Sequence, residues 1–124
     1  MVRILFVEDE IDIVKFMVDF LYKKGYQVVP ATTGKEALGF LQEDVFDLAI
    51  IDLILPDING NELCAMIRHN KKTSRLPIIV STGIGDDFTQ KISKDIGVNE
   101  FLTKPYSAEN LCVAIENCLG NHRE

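Results

Sequence analysis

Three carboxylates, a hydroxyl and an amine stand at the ends of short apolar runs in this sequence. Glu8 and Asp9 follow VRILFV, Asp52 follows DLAII, Thr82 ends PIIVST, and Lys104 follows EFLT. Aspartate is depleted from strands and is rarely buried without a partner. Asp52 therefore either marks the point where a strand reaches solvent or is held there for chemistry, and the surrounding elements decide between the two.

The apolar runs are short and lack clean alternation, which is typical of strands covered on both faces of a parallel sheet. They lie at residues 2–7, 27–30, 47–51, 77–82 and 100–103. The segments between them have helical periodicity, with Thr33 and Glu36 forming a capping box and Ser107 capping the last helix. The sequence predicts an α/β fold with helices at residues 10–24, 33–43, 59–69, 86–97 and 107–120.

Parallel strands present their carboxyl ends at one edge of a sheet, where ligands bind. The five side chains are therefore predicted to converge. Carboxylates gathered together repel one another, and a hard cation such as Mg²⁺, often shared with a phosphate oxygen, relieves that repulsion. Lys104 would add positive charge, and the Thr82 hydroxyl could donate to a phosphoryl oxygen. Asp52, at the end of an apolar strand, is predicted to be a nucleophile toward phosphorus.

The length and composition of the chain disfavour several other classes of function. A chain of 124 residues is predicted to be one domain, residues 1–124, without an output domain. Its 19 acidic and 13 basic residues give a formal charge of -6, which disfavours nucleic acid and anionic membranes. No signal peptide or membrane span is predicted, so we expect a cytoplasmic location. Cys64, Cys112 and Cys118 are expected to be small apolar residues without a metal or redox role, and His69 and His122 to be solvated.

The sequence resembles the receiver domains of two-component response regulators over its whole length. The matching segments are FVEDE, LAIIDLILPDING, PIIVSTG and FLTKP. The resemblance implies a flavodoxin-like, doubly wound, five-stranded parallel sheet of order 2-1-3-4-5 with five helices. It also implies that Asp52 accepts a phosphoryl group from a phosphohistidine on a sensor histidine kinase or phosphotransfer protein. Mg²⁺ would be bound by Asp9, Asp52 and the carbonyl of Ile54, with Glu8 acting mainly through water.

The same resemblance suggests a switch. Thr82 would move toward the phosphoryl group, Phe101 would rotate inward, and the face formed by the fourth helix, fifth strand and fifth helix would repack. A cis peptide bond is expected between Lys104 and Pro105. Glu8 departs from the family's usual second aspartate, and Gly83 stands where the family commonly has alanine. Most members are bacterial, and a monomer or a weak phosphorylation-dependent dimer is expected, acting through an output domain or protein.

Several apolar residues carry further hypotheses. Ile54 and Ile84 are expected to flank the path of an attacking water and to slow loss of the phosphoryl group. On the first helix, Ile13 and Phe16 either contact the phosphodonor's helical bundle or pack on the fifth helix. The expected core stripe of that helix comprises Ile11, Val14, Met17, Val18 and Leu21, with a second row of Ile13, Phe16 and Phe20. The fourth helix has only a weak stripe, Phe88, Ile92 and Ile96.

Two alternatives remain. The chain could be a receiver-like binding domain that acts without phosphorylation, but every key residue type is present. It could also be a small Mg²⁺-dependent phosphatase with an aspartyl nucleophile, but that class typically needs a general acid two residues after the nucleophile, where this chain has Ile54. Asp57 is interpreted as a turn residue.

Overall fold

Five strands and five helices alternate along the chain in the computed structural model, which describes residues 1–123 and the side chains of residues 1–120. None of the helices within the described residues is long and apolar enough to cross a membrane. The bounds are β1 Arg3–Val7, α1 Ile11–Lys23, β2 Gln27–Ala31, α2 Gly34–Glu43, β3 Leu48–Ile51, α3 Gly60–His69, β4 Ile78–Thr82, α4 Asp87–Ile96, β5 Glu100–Thr103 and α5 Ala108–Arg123.

The strands form one parallel sheet of order β2-β1-β3-β4-β5. Ile4 of β1 is in register with Val28 of β2 on one side and with Leu48 of β3 on the other. All residues of β3 and β4 are buried, as expected for central strands with both faces covered. The predicted fold and strand order are therefore confirmed.

Helices cover both faces of the sheet. Alternation of side chains along each strand sends neighbouring residues to opposite faces, so β1 supplies Leu5 to one core and Ile4 to the other. α2 and α3 pack over the first core with side chains such as Leu41 and Leu63. α1 and α5 pack over the second with side chains such as Leu21 and Ile115. These two layers hold the strands, and hence their carboxyl ends, in a fixed arrangement.

The helix caps follow the predicted chemistry. The Thr33 hydroxyl accepts the Glu36 N–H at 3.0 Å, while the Glu36 carboxylate accepts the Thr32 N–H at 2.7 Å. The Ser107 hydroxyl accepts the Asn110 N–H at 3.0 Å at the start of α5. That helix continues to Arg123, beyond the expected end near Gly120. His69 is exposed as predicted, whereas His122 lies outside the residues whose side chains are described.

Two members of the expected apolar stripes are exposed: the placement of Ile11 in the core stripe of α1 is wrong, whereas the exposure of Phe88 fits the weak stripe expected for α4. Ile11 is 53% exposed and Phe88 is 74% exposed. In α1 the covered arc is rotated toward α5, because Ile13 and Phe20 pack against the core that α1 shares with α5. At 100° per residue, Ile11 falls outside one border of this arc. Periodicity identified an apolar stripe, but the position of α5 determined which part of it is covered.

Candidate functional site

Backbone hydrogen bonds just beyond the strands fix the positions of the predicted site residues. The Asp52 N–H donates to the carbonyl of Val7 at 3.0 Å, which ties the end of β3 to β1. The Lys104 N–H donates to the carbonyl of Thr82 at 2.7 Å, which ties the end of β5 to β4. The pairing therefore brings these side chains to one edge of the sheet, as expected from parallel strands.

The ammonium group of Lys104 lies between two carboxylates. Its Nζ is 2.5 Å from Oε1 of Glu8 and 3.0 Å from Oδ2 of Asp52. Backbone amides satisfy the other oxygens: Ile54 N–H donates to Asp52 Oδ1 at 3.0 Å, and Glu10 N–H donates to Glu8 Oε2 at 3.2 Å. Glu8 is 1% exposed and Asp52 is 7% exposed, so Glu8 is as deeply held as the predicted nucleophile.

Burial and charge pairing oppose one another at this site. Burial raises the pKa of Glu8, and this effect exceeds the lowering due to the hydrogen bond from Lys104. Burial alone would lower the pKa of Lys104, but its bonds to Glu8 and Asp52 outweigh burial and raise that pKa. The ammonium is therefore firmly protonated and supplies a fixed positive charge beside Asp52.

Thr82 and two isoleucines surround the same edge. The Thr82 side chain is buried, and its hydroxyl accepts the Ile84 N–H at 3.4 Å, a long contact that leaves the hydroxyl proton available. Ile54 and Ile84 are both exposed. The peptide bond between Lys104 and Pro105 is cis, in agreement with the expectation from the family resemblance.

Asp9 differs from the other two acids because its side chain is exposed. Within the described part of the chain, no three histidine, cysteine or acidic side chains lie together as a metal-binding group. The available donors are nonetheless those that Mg²⁺ prefers, namely carboxylates and a backbone carbonyl. Glu8 and Asp52 share the single ammonium of Lys104, so this pair keeps a net negative charge that a divalent cation would neutralise. The donor set therefore fits Mg²⁺.

The loop after Asp52 is tightly folded back toward it. Gly60 N–H donates to the carbonyl of Leu53 at 2.8 Å, and Ile54 and Asn59 form an isolated antiparallel bridge. A Cβ added to Gly60 would lie 2.5 Å from the carbonyl oxygen of Asp52, so only glycine fits. The close approach holds the backbone of Asp52 in place.

Asp57 connects this loop to α2. Its Oδ1 accepts the Gly34 N–H at 2.8 Å, and its Oδ2 accepts the Lys35 N–H at 2.9 Å. These bonds lower the pKa of Asp57. Sequence reasoning identified Asp57 only as a turn residue, whereas the structure shows it capping a helix that lies earlier in the chain. The partners are 23 and 22 residues away, and no local pattern marks them.

A second pair missed by sequence reasoning lies beside Lys104. The hydroxyls of Tyr106 and Ser81 are 2.8 Å apart, which joins the loop after β5 to the strand that carries Thr82. Ser81 is buried, and burial raises the pKa of the Tyr106 phenol, so the phenol stays protonated and either hydroxyl can donate to the other. Neither residue was assigned a role from the sequence.

The predicted switch face is weakly packed. Of the ten residues of α4, all of them described, only Ser93 is buried, and its hydroxyl donates to Oδ1 of Asn61 in α3 at 2.9 Å. α4 packs chiefly against α3 and makes few contacts with the sheet. Phe101 is partly buried against the core on the α2 and α3 side. This packing agrees with the expectation that α4 is loosely held.

The outer surface of α1 carries an aromatic pair. Phe16 is 64% exposed and stacks on Phe20 with ring centroids 6.1 Å apart. Ile13 and Phe20 are partly buried, which supports packing on α5 for these two residues. The exposed Phe16 fits the other hypothesis, contact with the phosphodonor. Ile13 and Phe20 pack in the core that includes α5, while Phe16 remains available to a partner.

Comparison with known proteins agrees with this geometry. The family described as the response regulator receiver domain matches residues 4–116. The chain belongs to this family. A receiver domain protein of Methanospirillum hungatei, described as CheY-like, superposes with a TM-score of 0.93 at 28% identity and covers 99% of this chain and 97% of its own. The chain is thus a receiver domain of two-component response regulators.

Curated relatives of this receiver domain are longer proteins. Response regulator ArlR of Staphylococcus saprophyticus is 35% identical over 119 residues, covering 96% of this chain and 53% of that protein. Regulatory protein VanRc of Enterococcus gallinarum is 29% identical over 121 residues, covering 98% of this chain and 51% of that protein. The receiver domain therefore spans about half the length of these relatives.

Proposed function

We propose that Asp52 of this receiver domain accepts a phosphoryl group from a phosphohistidine on a sensor histidine kinase or phosphotransfer protein. The observation that carries the proposal is the setting of its carboxylate. Oδ1 is fixed by the Ile54 N–H at 3.0 Å, and Oδ2 faces the ammonium of Lys104 at 3.0 Å. A carboxylate fixed by a backbone amide beside a permanent cation is prepared for phosphoryl transfer, which depends on positioning and charge neutralisation.

In the transfer, an oxygen of Asp52 forms a bond to phosphorus while the bond between phosphorus and the imidazole nitrogen breaks. The electron pair of the broken bond stays on the nitrogen, which takes up a proton. Lys104 stabilises the negative charge on the transferred group, and the Thr82 hydroxyl donates to one of its oxygens. The domain thereby promotes only its own phosphorylation and dephosphorylation.

Mg²⁺ would be held by Asp9, Asp52 and the carbonyl of Ile54 directly, and by Glu8 through water. When bound, it would neutralise charge and fix a phosphoryl oxygen. In the absence of a phosphoryl group, Glu8 and Asp52 share the ammonium of Lys104. The added phosphate brings nearly two negative charges, which would draw Lys104 and Thr82 toward it.

The signal would leave through the face formed by α4, β5 and α5, with Thr82 moving and Phe101 turning inward. The loose packing of α4 supports this assignment. The phosphodonor would dock at α1, where Phe16 is exposed and Ile13, although it packs partly against the core, borders the same surface. We further propose that residues 1–124 form one cytoplasmic, bacterial receiver domain, monomeric or weakly dimeric when phosphorylated.

Intact mass spectrometry tests the phosphoacceptor role. The protein is incubated with phosphoramidate and Mg²⁺, beside an Asp52→Asn variant and a Mg²⁺-free control. We expect the mass of one phosphoryl group to be added to the wild-type protein alone. Folded wild-type protein that gains no mass, and that also fails with histidine kinases, would instead indicate a domain that binds partners without phosphorylation.

A further inference from the structure

The hydrogen bond between Tyr106 and Ser81 lies at the base of the loop that carries Lys104. Ser81 is in register with Leu102 of β5, and the next pair, Thr82 and Thr103, is the last of the ladder. Beyond it, one further backbone bond joins Lys104 N–H to the carbonyl of Thr82. The chain then turns, and the Tyr106 side chain returns to Ser81, with the two hydroxyl oxygens 2.8 Å apart.

We propose that Tyr106 and Ser81 act together as positioning residues for Lys104, an inference that rests on the proposed phosphoacceptor function. Lys104 stands between two anchors on β4: its own N–H on Thr82 and, two residues later, Tyr106 on Ser81. A lysine side chain has four rotatable bonds and loses much conformational freedom when fixed. Its ammonium stays between Glu8 and Asp52 only if its backbone is fixed.

Because Ser81 is buried, its hydroxyl depends on the hydrogen bond with Tyr106. Ser81 is 2% exposed, and its hydroxyl has Tyr106 as its hydrogen-bond partner among the described side chains. Loss of the phenol oxygen leaves this hydroxyl without that partner, which is costly in a buried position. The packing of the Tyr106 ring against the core with α1 and α5 is a separate contact that a phenylalanine would keep. Ring and hydroxyl can therefore be tested independently.

The test measures the rate of phosphorylation by radiolabelled phosphoramidate with Mg²⁺. The variants are Tyr106→Phe, Ser81→Ala and the double variant, and Tyr22→Phe removes an exposed phenol on α1 as the control. We expect each single change to slow phosphorylation by about fivefold, the effect of one net hydrogen bond. The double variant should be no slower than the slower single variant, because both remove the same bond. Tyr22→Phe should match the wild type.

A second comparison separates positioning from general structural damage. In a protein that already carries Lys104→Ala, Tyr106→Phe should not lower the phosphorylation rate further, because the hydrogen bond acts through Lys104. The inference would be overturned if Tyr106→Phe lowered the phosphorylation rate by the same factor with and without Lys104. It would also be overturned if Tyr106→Phe alone were phosphorylated at the wild-type rate. If Ser81→Ala does not fold, Tyr106→Phe alone carries the test, since it keeps the ring. Failure of the wild-type protein to be phosphorylated would instead reject the proposed function itself.

Discussion

Gly60 packs directly on the backbone of Leu53, and its N–H donates to the Leu53 carbonyl at 2.8 Å. This contact closes the loop between β3 and α3. The residue before Leu53 is Asp52, so the same contact sets the position of the proposed phosphoacceptor. Glycine is required here because of space rather than backbone conformation, since its φ is not positive.

Replacing Gly60 by alanine should destabilise the protein by about 1–3 kcal/mol, because the backbone of Asp52 and Leu53 must shift to admit a methyl group. It should also slow phosphorylation of Asp52. Gly39 in α2 provides a matched control, because an added Cβ there meets no atom within 4 Å. Gly39→Ala should stabilise the protein by roughly 0.5–1 kcal/mol. Urea unfolding of both variants checks the prediction, and equal effects of the two changes would contradict it.

Asp57→Asn should lower stability at neutral pH, because an amide cannot accept both the Gly34 and Lys35 amides with carboxylate charge. The pKa of Asp57 is lower in the folded protein than in the unfolded chain. Its stabilising contribution is therefore fully present above the unfolded pKa and is lost as pH falls through the folded pKa. Urea unfolding at neutral and strongly acidic pH should show the wild-type and variant curves converging in acid. A difference that stays constant with pH would contradict this account.

Ser93→Ala should loosen α4, because it removes the buried hydrogen bond to Asn61 and leaves the amide oxygen of Asn61 without it. Removal of such a bond typically costs about 0.5–1.5 kcal/mol. Hydrogen exchange followed by mass spectrometry should show faster exchange in Asp87–Ile96 than in the wild type, with α5 unchanged. Ser74→Ala, a change in the exposed loop before β4, is the control. Unchanged exchange in α4 would mean that this bond does not hold the helix.

Polar residues at Ile54 and Ile84 should shorten the life of the phosphorylated state. Both side chains are exposed, and an isoleucine has no polar group with which to orient water. Ile54→Asn together with Ile84→Glu should speed loss of the phosphoryl group by at least about tenfold, since a polar group can position the attacking water. The decay of the phosphorylated mass after removal of the donor measures this rate. An unchanged decay rate would contradict the hypothesis that Ile54 and Ile84 slow loss of the phosphoryl group.

Phe16→Ala should slow transfer from a histidine kinase while leaving phosphorylation by phosphoramidate unchanged. The exposed ring offers apolar contact to a helical partner, whereas a small donor does not touch α1. A loss of about tenfold in transfer rate corresponds to one contact of about 1.4 kcal/mol. Tyr22→Ala, which removes another exposed ring from the same helix, should have no effect on either donor. Equal transfer by Phe16→Ala and the wild type would place the docking surface elsewhere.

The sequence was most informative where function depends on the order of parallel strands. Glu8, Asp52 and Lys104 follow apolar runs and Thr82 ends one, and parallel pairing alone brings them to one edge. Helix exposure was less predictable, since Ile11 and Phe88 fit an apolar period but are left largely exposed by the described part of the chain.

The hydrogen bonds that support the site could not be predicted either, and the reason is their long separation in the sequence. Asp57 and Gly34 are 23 residues apart, and Tyr106 and Ser81 are 25 residues apart. Such hydrogen bonds depend on how loops return after the strands end, and no local period or spacing encodes that return. They emerge only when the sheet is assembled.

The carboxylate of Asp52 is the proposed carrier of the phosphoryl group. Borohydride reduces an acyl phosphate at an aspartate to homoserine, which peptide mass mapping can locate. After phosphorylation with phosphoramidate and Mg²⁺, we expect homoserine at position 52 alone, and none in unphosphorylated protein. Homoserine at position 9, or phosphorylated protein that yields no reduced residue, would contradict the account.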